Sequence, residues 1–124
     1  YKITNKIIII SGRDVIMDKI KLIEEKTNVD ETQELYLDLL GKYDIDKALL
    51  WMTEELGEVV AAIRKGKSKE DITGEIGELI TWIFGISNIL DINVSDAMKM
   101  TCYKEYNRQM RKYGKLKYSS KVFK

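Results

Sequence analysis

The sequence predicts an all-α protein, an antiparallel bundle of four to five helices completed by dimerisation. Three observations point there. Apolar residues recur at helical spacing through successive segments. Proline is absent from all 124 residues, and Gly and Asn supply most of the punctuation between segments. Only about three residues separate the two most strongly periodic segments, and a connection that short forces an antiparallel hairpin.

The elements follow in order. Residues 1–16 read as an N-terminal arm, with the β-branched run Ile7 to Ile10 suited to a short strand or extended segment. Residues 17–114 read as the helical domain. Asp14 to about Lys26 carries Val15, Ile16, Ile20 and Ile23 at helical spacing, until Asn28 breaks the pattern. A second helix, Glu31 to about Tyr43, places Leu35, Leu39 and Leu40 on one face, and Gly41 weakens its end. Asp46 is a candidate N-cap for a third helix running to about Lys65, stopped by Gly66. Ser68 and Asp71 resemble a capping box opening a fourth helix that reaches about Leu90. Ser95 caps a last helix from Asp96 to about Tyr113, stopped by Gly114, and residues 115–124 form a basic, mobile tail.

Composition narrows the chemistry. There is no His, which excludes His-based triads, His general bases and His-bound zinc. Cys102 is alone, so neither an internal disulfide nor a thiolate metal cluster can form. Any metal must therefore sit among oxygen ligands, which suit Mg²⁺ or Mn²⁺. With 21 basic against 20 acidic residues, no broad field favours nucleic acid or an anionic membrane. No apolar run approaches the roughly 18 residues of a membrane span, and the simplest location is the reducing cytoplasm.

The acidic residues cluster at helical spacing. Glu54-Glu55-Leu56-Gly57-Glu58 lies on the third helix and Glu75-Ile76-Gly77-Glu78 on the fourth. Residues three apart are about 60° apart around the axis and about 4.5 Å along it, so Glu55/Glu58 and Glu75/Glu78 can each aim at one point. Folding the chain back between Gly66 and Lys67 brings Glu55 level with Glu78 and Glu58 level with Glu75. The apolar faces are Leu49, Met52, Leu56, Val59, Val60 and Ile63 on one helix and Ile72, Ile76, Leu79, Ile80, Ile83 and Leu90 on the other. The acidic pairs flank these faces, and the flanks either face each other or point apart together. Four carboxylates brought together repel unless protons or cations sit among them. Mg²⁺ is bound by a few carboxylates, with waters and substrate phosphates completing its shell. The same fold pairs Trp51 with Trp82, each one helical turn from its nearer carboxylate. The two rings either clamp a nucleobase or pack as core.

The pattern EExxE, sixteen residues, then Glu75-Ile76-Gly77-Glu78, with the flanking text LLWMTEELGEVVAAIRKG and EIGELITWIFGI, resembles the MazG-like all-α nucleotide pyrophosphohydrolases over about residues 46–114. The resemblance implies a tight homodimer or homotetramer that cleaves nucleoside triphosphates between the α and β phosphorus. It implies Glu55, Glu58, Glu75 and Glu78 as metal ligands and Glu54 as the group that positions or deprotonates the attacking water. On the last helix it implies Lys104, Asn107 and Arg111 as contacts to phosphate or nucleotide. The departure is Glu78, where the family usually has Asp; the extra methylene adds about 1.5 Å of reach. Residues 1–16 match nothing in the pattern. Phosphoribosyl-ATP hydrolysis, and a non-catalytic dimeric binding module, are the alternatives.

Overall fold

The structure is a computed structural model that describes residues 28–119. The expected arm, the helix from Asp14 to Lys26 and the last five residues of the tail lie outside the described residues. The described residues form four helices: α1 Val29–Leu40, α2 Ile45–Arg64, α3 Lys69–Ile89 and α4 Val94–Tyr113. Among the described residues there is no strand, and no helix is long and apolar enough to cross a membrane.

The helix ends show how local chemistry sets the boundaries. Asn28 opens α1, accepting from Glu31 N at 2.8 Å while Glu31 reaches back toward Asn28 N. It is thus the start of the next helix rather than only the break after the previous one. Asp44, not Asp46, caps α2, because its Oδ1 accepts from Asp46 N at 2.8 Å and Lys47 N at 3.2 Å. Asn93, not Ser95, caps α4 by accepting from Asp96 N at 2.8 Å. Ser68 caps α3 as expected, at 3.1 Å from Asp71 N.

The turn between α2 and α3 positions everything that follows. Gly66 adopts φ 63°, a left-handed conformation suited to glycine. Lys67 N donates to Ala62 O at 3.0 Å and Gly66 N to Ile63 O at 3.1 Å. These paired bonds satisfy the last carbonyls of α2 and reverse the chain in the fewest residues. The predicted antiparallel hairpin results, and α2 and α3 form the most extensive helix pair.

The seam between them takes in only part of the apolar faces read from the sequence, Met52 and Val59 on α2 and Ile72 and Leu79 on α3. On α2 the buried or half-buried positions Ala48, Met52, Glu55, Val59 and Ala62 recur at spacings of four and three. On α3 Ile72, Glu75, Leu79, Trp82, Ile86 and Ile89 do the same. This alternation is a coiled-coil seam. Small residues let the helices approach, and two glutamates stand within the seam. Leu49, Leu56, Val60 and Ile63 of α2, with Ile76, Ile80 and Ile83 of α3, are each at least 41% exposed.

α1 packs on α3 and α4. Tyr36 lies 5.4 Å from Phe84, ring centre to ring centre. A buried polar latch joins all three helices. Gln33 Nε2 donates to Asn88 Oδ1 at 3.1 Å and to Ile92 O at 2.7 Å, Val94 N donates to Gln33 Oε1 at 2.8 Å, and Asn88 Nδ2 donates to Gln33 O at 3.2 Å. A network satisfied this completely fixes one arrangement, since breaking it strands several buried groups at about 1–3 kcal/mol each. The start of the tail turns back on α4: Lys117 N donates to Gln109 Oε1 at 3.0 Å and the Lys117 ammonium lies 5.3 Å from the Tyr113 ring centre.

Candidate metal centre

The hairpin brings the carboxylates together. Glu55, Glu58 and Glu75 each offer an oxygen, and these oxygens lie within 4.8 Å of one another. Glu55 and Glu75 project from the seam and are half-buried, while Glu58 sits exposed at its edge. Glu78, also exposed, stands outside that trio but close enough for its charge to act on both Glu55 and Glu75.

The electrostatics match the crowding. Loss of solvent pushes the Glu55 carboxyl above the usual range, and the charges of Glu58, Glu78 and Glu75 and a hydrogen bond with Glu58 add to it. Glu75 is raised first by desolvation, then by a hydrogen bond with Glu58 and by the charges of Glu58, Glu78 and Asp71. Glu55 Oε2 is shielded from solvent without a hydrogen-bond partner. An orphaned carboxylate oxygen amid like charges is an all-oxygen donor set, and a hard divalent ion suits it.

The effect of pH follows. Raised carboxyl pKa values mean that the folded chain holds these protons more tightly than the unfolded one. Their contribution to stability is greatest in acid and is lost as pH rises through the folded-state values. A bound cation requires the ionised forms and opposes that loss. The rise in melting temperature on adding Mn²⁺ should therefore be small at about pH 5 and largest at about pH 7.5. Glu55→Gln should melt higher than the wild type without metal at the upper pH, and should gain less from Mn²⁺. A rise independent of pH, read by circular dichroism, would contradict this.

Beyond the carboxylates, away from the turn, lies an aromatic group. Trp51 and Trp82 pack with ring centres 5.2 Å apart, as the hairpin register predicted. Tyr43, from the loop before α2, completes a trio at 5.8 Å from Trp82 and 6.4 Å from Trp51. Sequence reading ran the preceding helix to about Tyr43 and gave that residue no role in the site, whereas the helix stops at Leu40 and leaves Tyr43 in the loop. Tyr43 Oη and Trp82 Nε1 are buried without hydrogen-bond partners.

Tyr43 leans on Gly85 so closely that a Cβ there would collide with its hydroxyl, with the ring carbon Cζ at 3.4 Å. The ring has little room to retreat between two tryptophans. Gly85→Ala should cost about 1–3 kcal/mol and shift the tryptophan fluorescence, whereas Gly85→Ala with Tyr43→Phe should recover part of the stability. Equal losses in the single and double variants would show that the hydroxyl is not the obstacle.

The remaining predicted residues are not gathered here. Glu54 is exposed on α2 beside Glu55 and stands outside the carboxylate trio. Lys104, Asn107 and Arg111 are on α4, and among the described residues no hydrogen bond or ion pair joins them to the carboxylates. Their neighbour Arg108 is committed elsewhere: its Nε donates to Glu105 Oε2 at 2.8 Å. That bond, with a second from Arg108 Nη2 and a third from Gln109, holds the Glu105 carboxyl down to about 2.

The family model of the MazG nucleotide pyrophosphohydrolase domain matches residues 44–111, more than half of the chain. The chain belongs to this family. It is thereby a hydrolase acting on phosphoanhydrides, a nucleotide pyrophosphohydrolase. The MazG match begins at the Asp44 cap and ends within α4, so it contains the hairpin, all five glutamates and both tryptophans. It leaves out α1, the helix that supplies Gln33 and Tyr36. No curated protein and no solved structure gave a significant match to the chain.

Proposed function

We propose that this MazG domain hydrolyses nucleoside triphosphates at the α–β phosphoanhydride, releasing a nucleoside monophosphate and pyrophosphate, with Mg²⁺ or Mn²⁺ held by Glu55, Glu58, Glu75 and Glu78. The observation that carries this reading is the carboxylate trio of half-buried Glu55 and Glu75 with exposed Glu58, in which one Glu55 oxygen is solvent-shielded and unpartnered. A bound divalent ion supplies Lewis-acid chemistry: it neutralises phosphate charge and makes water a stronger nucleophile at neutral pH. Glu54, exposed on the helix beside Glu55, orients the attacking water and accepts its proton. The water oxygen bonds to the α-phosphorus as the bond to the bridging oxygen breaks, and pyrophosphate leaves with the bonding electrons. Trp51, Trp82 and Tyr43 offer ring faces to the base, and the buried Tyr43 hydroxyl and Trp82 N–H are donors without partners nearby. Lys104, Asn107 and Arg111 serve as further contacts to the nucleotide.

The domain acts as a homo-oligomer, at least a dimer. Seven large apolar side chains on the outer faces of α2 and α3 form one exposed surface, larger than scattered apolar residues would produce. Two such hairpins packed face to face make a four-helix core, a standard way to bury stripes of this kind. Pyrophosphate release across a panel of standard and modified nucleoside triphosphates, and phosphoribosyl-ATP, with Mg²⁺ or Mn²⁺, tests the activity. Metal-dependent release from triphosphates supports the reading; release from phosphoribosyl-ATP alone replaces it with that activity, and no release from any substrate overturns it.

A further inference from the structure

On the turn side of the carboxylates a groove of about 410 Å³ opens between α2 and α3. Glu58 and Glu75 form one end of it, Asp71 part of its wall, and Lys65 and Lys67 the end at the turn. Both lysines are exposed, and among the described residues neither ammonium forms an ion pair, although three carboxylates line the same groove. Lys65 follows Glu58 by seven residues, two helical turns or about 10 Å along the axis. Lys67 is held at the elbow by its own backbone bond to Ala62. The flexible four-carbon stems let both ammoniums swing over the groove while their backbones stay fixed.

Three stations therefore lie in sequence along the hairpin. The aromatic trio is farthest from the turn, the carboxylates stand in the middle, and the paired lysines lie at the turn. A nucleoside triphosphate has the same order: an aromatic base, then the α-phosphate, then two terminal phosphates whose charge grows as they leave.

We propose that Lys65 and Lys67 seat the terminal phosphates of the substrate and hold the departing pyrophosphate, so that the nucleotide lies along the hairpin with its base away from the turn. The proposal rests on reading the carboxylates as the hydrolytic metal centre. It makes the turn a specificity element. A triphosphate spans all three stations, whereas a monophosphate product stops at the carboxylates and gains nothing from the lysines. Two point charges at the leaving-group end also balance the acidic groove, which would otherwise repel the terminal phosphates.

The test is calorimetric titration of inorganic pyrophosphate into the Mg²⁺-loaded full chain, with a nucleoside monophosphate as the parallel ligand. The Lys65→Gln/Lys67→Gln variant should bind pyrophosphate at least about tenfold more weakly than wild type, with monophosphate affinity unchanged. Lys99→Gln, on α4, should behave as wild type and so controls for net charge. Equal pyrophosphate affinity in the wild type and the double variant, an equal loss for both ligands, or no pyrophosphate binding by the wild type would overturn the proposal. Mn²⁺ titration of the same proteins checks the underlying centre separately. The double variant should bind Mn²⁺ like wild type; a wild type that binds none removes the metal centre and the proposal with it.

Discussion

Glu58→Gln should lower kcat/KM for pyrophosphate release by on the order of a hundredfold or more while leaving the chain folded. Glu58 is the carboxylate that both seam glutamates share. One of its oxygens lies within 4.8 Å of an oxygen of each, and its charge helps raise the carboxyl pKa of both. Glutamine keeps its length and shape but removes the charge that attracts a cation. The same change relieves repulsion, so the metal-free variant should melt no lower than wild type. Loss of activity with retained stability separates a metal ligand from a structural residue. Activity within a few-fold of wild type, at saturating Mg²⁺, would show that Glu58 does not hold the ion.

The second large effect is expected at the exposed apolar surface. Ile80 is 42% exposed on α3, so a lysine there is tolerated by a single folded chain. In a face-to-face pair of hairpins the same lysine would be desolvated at an apolar interface. Burying an unpaired charge costs several kcal/mol, and each 1.4 kcal/mol is about tenfold in affinity. Ile80→Lys should shift the sedimentation coefficient to that of a monomer, with helical content preserved. An unchanged assembly would move the interface elsewhere, and a monomeric wild type would remove it.

Much of this was legible in the sequence. The hairpin, the level pairing of the two acidic pairs and the contact of Trp51 with Trp82 all followed from helical geometry and a turn only a few residues long. The direction of the faces did not. The seam is built from Ala48, Ala62, Glu55 and Glu75 as well as larger apolar residues, so a reading weighted by side-chain size looks to Leu56, Val60 and Ile80, which face outward. Two caps were misplaced by two residues, because Asp44 and Asp46, or Asn93 and Ser95, are chemically equivalent capping choices. Only the path of the loop decides between them. Gln33 was invisible because a polar residue in a helix reads as solvated until its partners, more than fifty residues away, are known. Tyr43 was overlooked for a related reason: its role depends on Gly85 and two tryptophans that only the folded chain brings beside it.

The departure at Glu78 fits the geometry described for the other three. Glu78 lies outside the trio yet acts on two of its members. A longer side chain in that position can reach inward when an ion draws it. Under the proposed function, Glu78 is a ligand recruited on binding.

Direct titration of Mn²⁺, followed by the loss of its free electron paramagnetic resonance signal, tests the central claim. The wild-type chain should remove Mn²⁺ from solution at neutral pH, and Glu55→Gln/Glu75→Gln should not. A wild type that leaves the free signal unchanged, or a double variant that binds as tightly, would contradict a metal centre built on the hairpin seam.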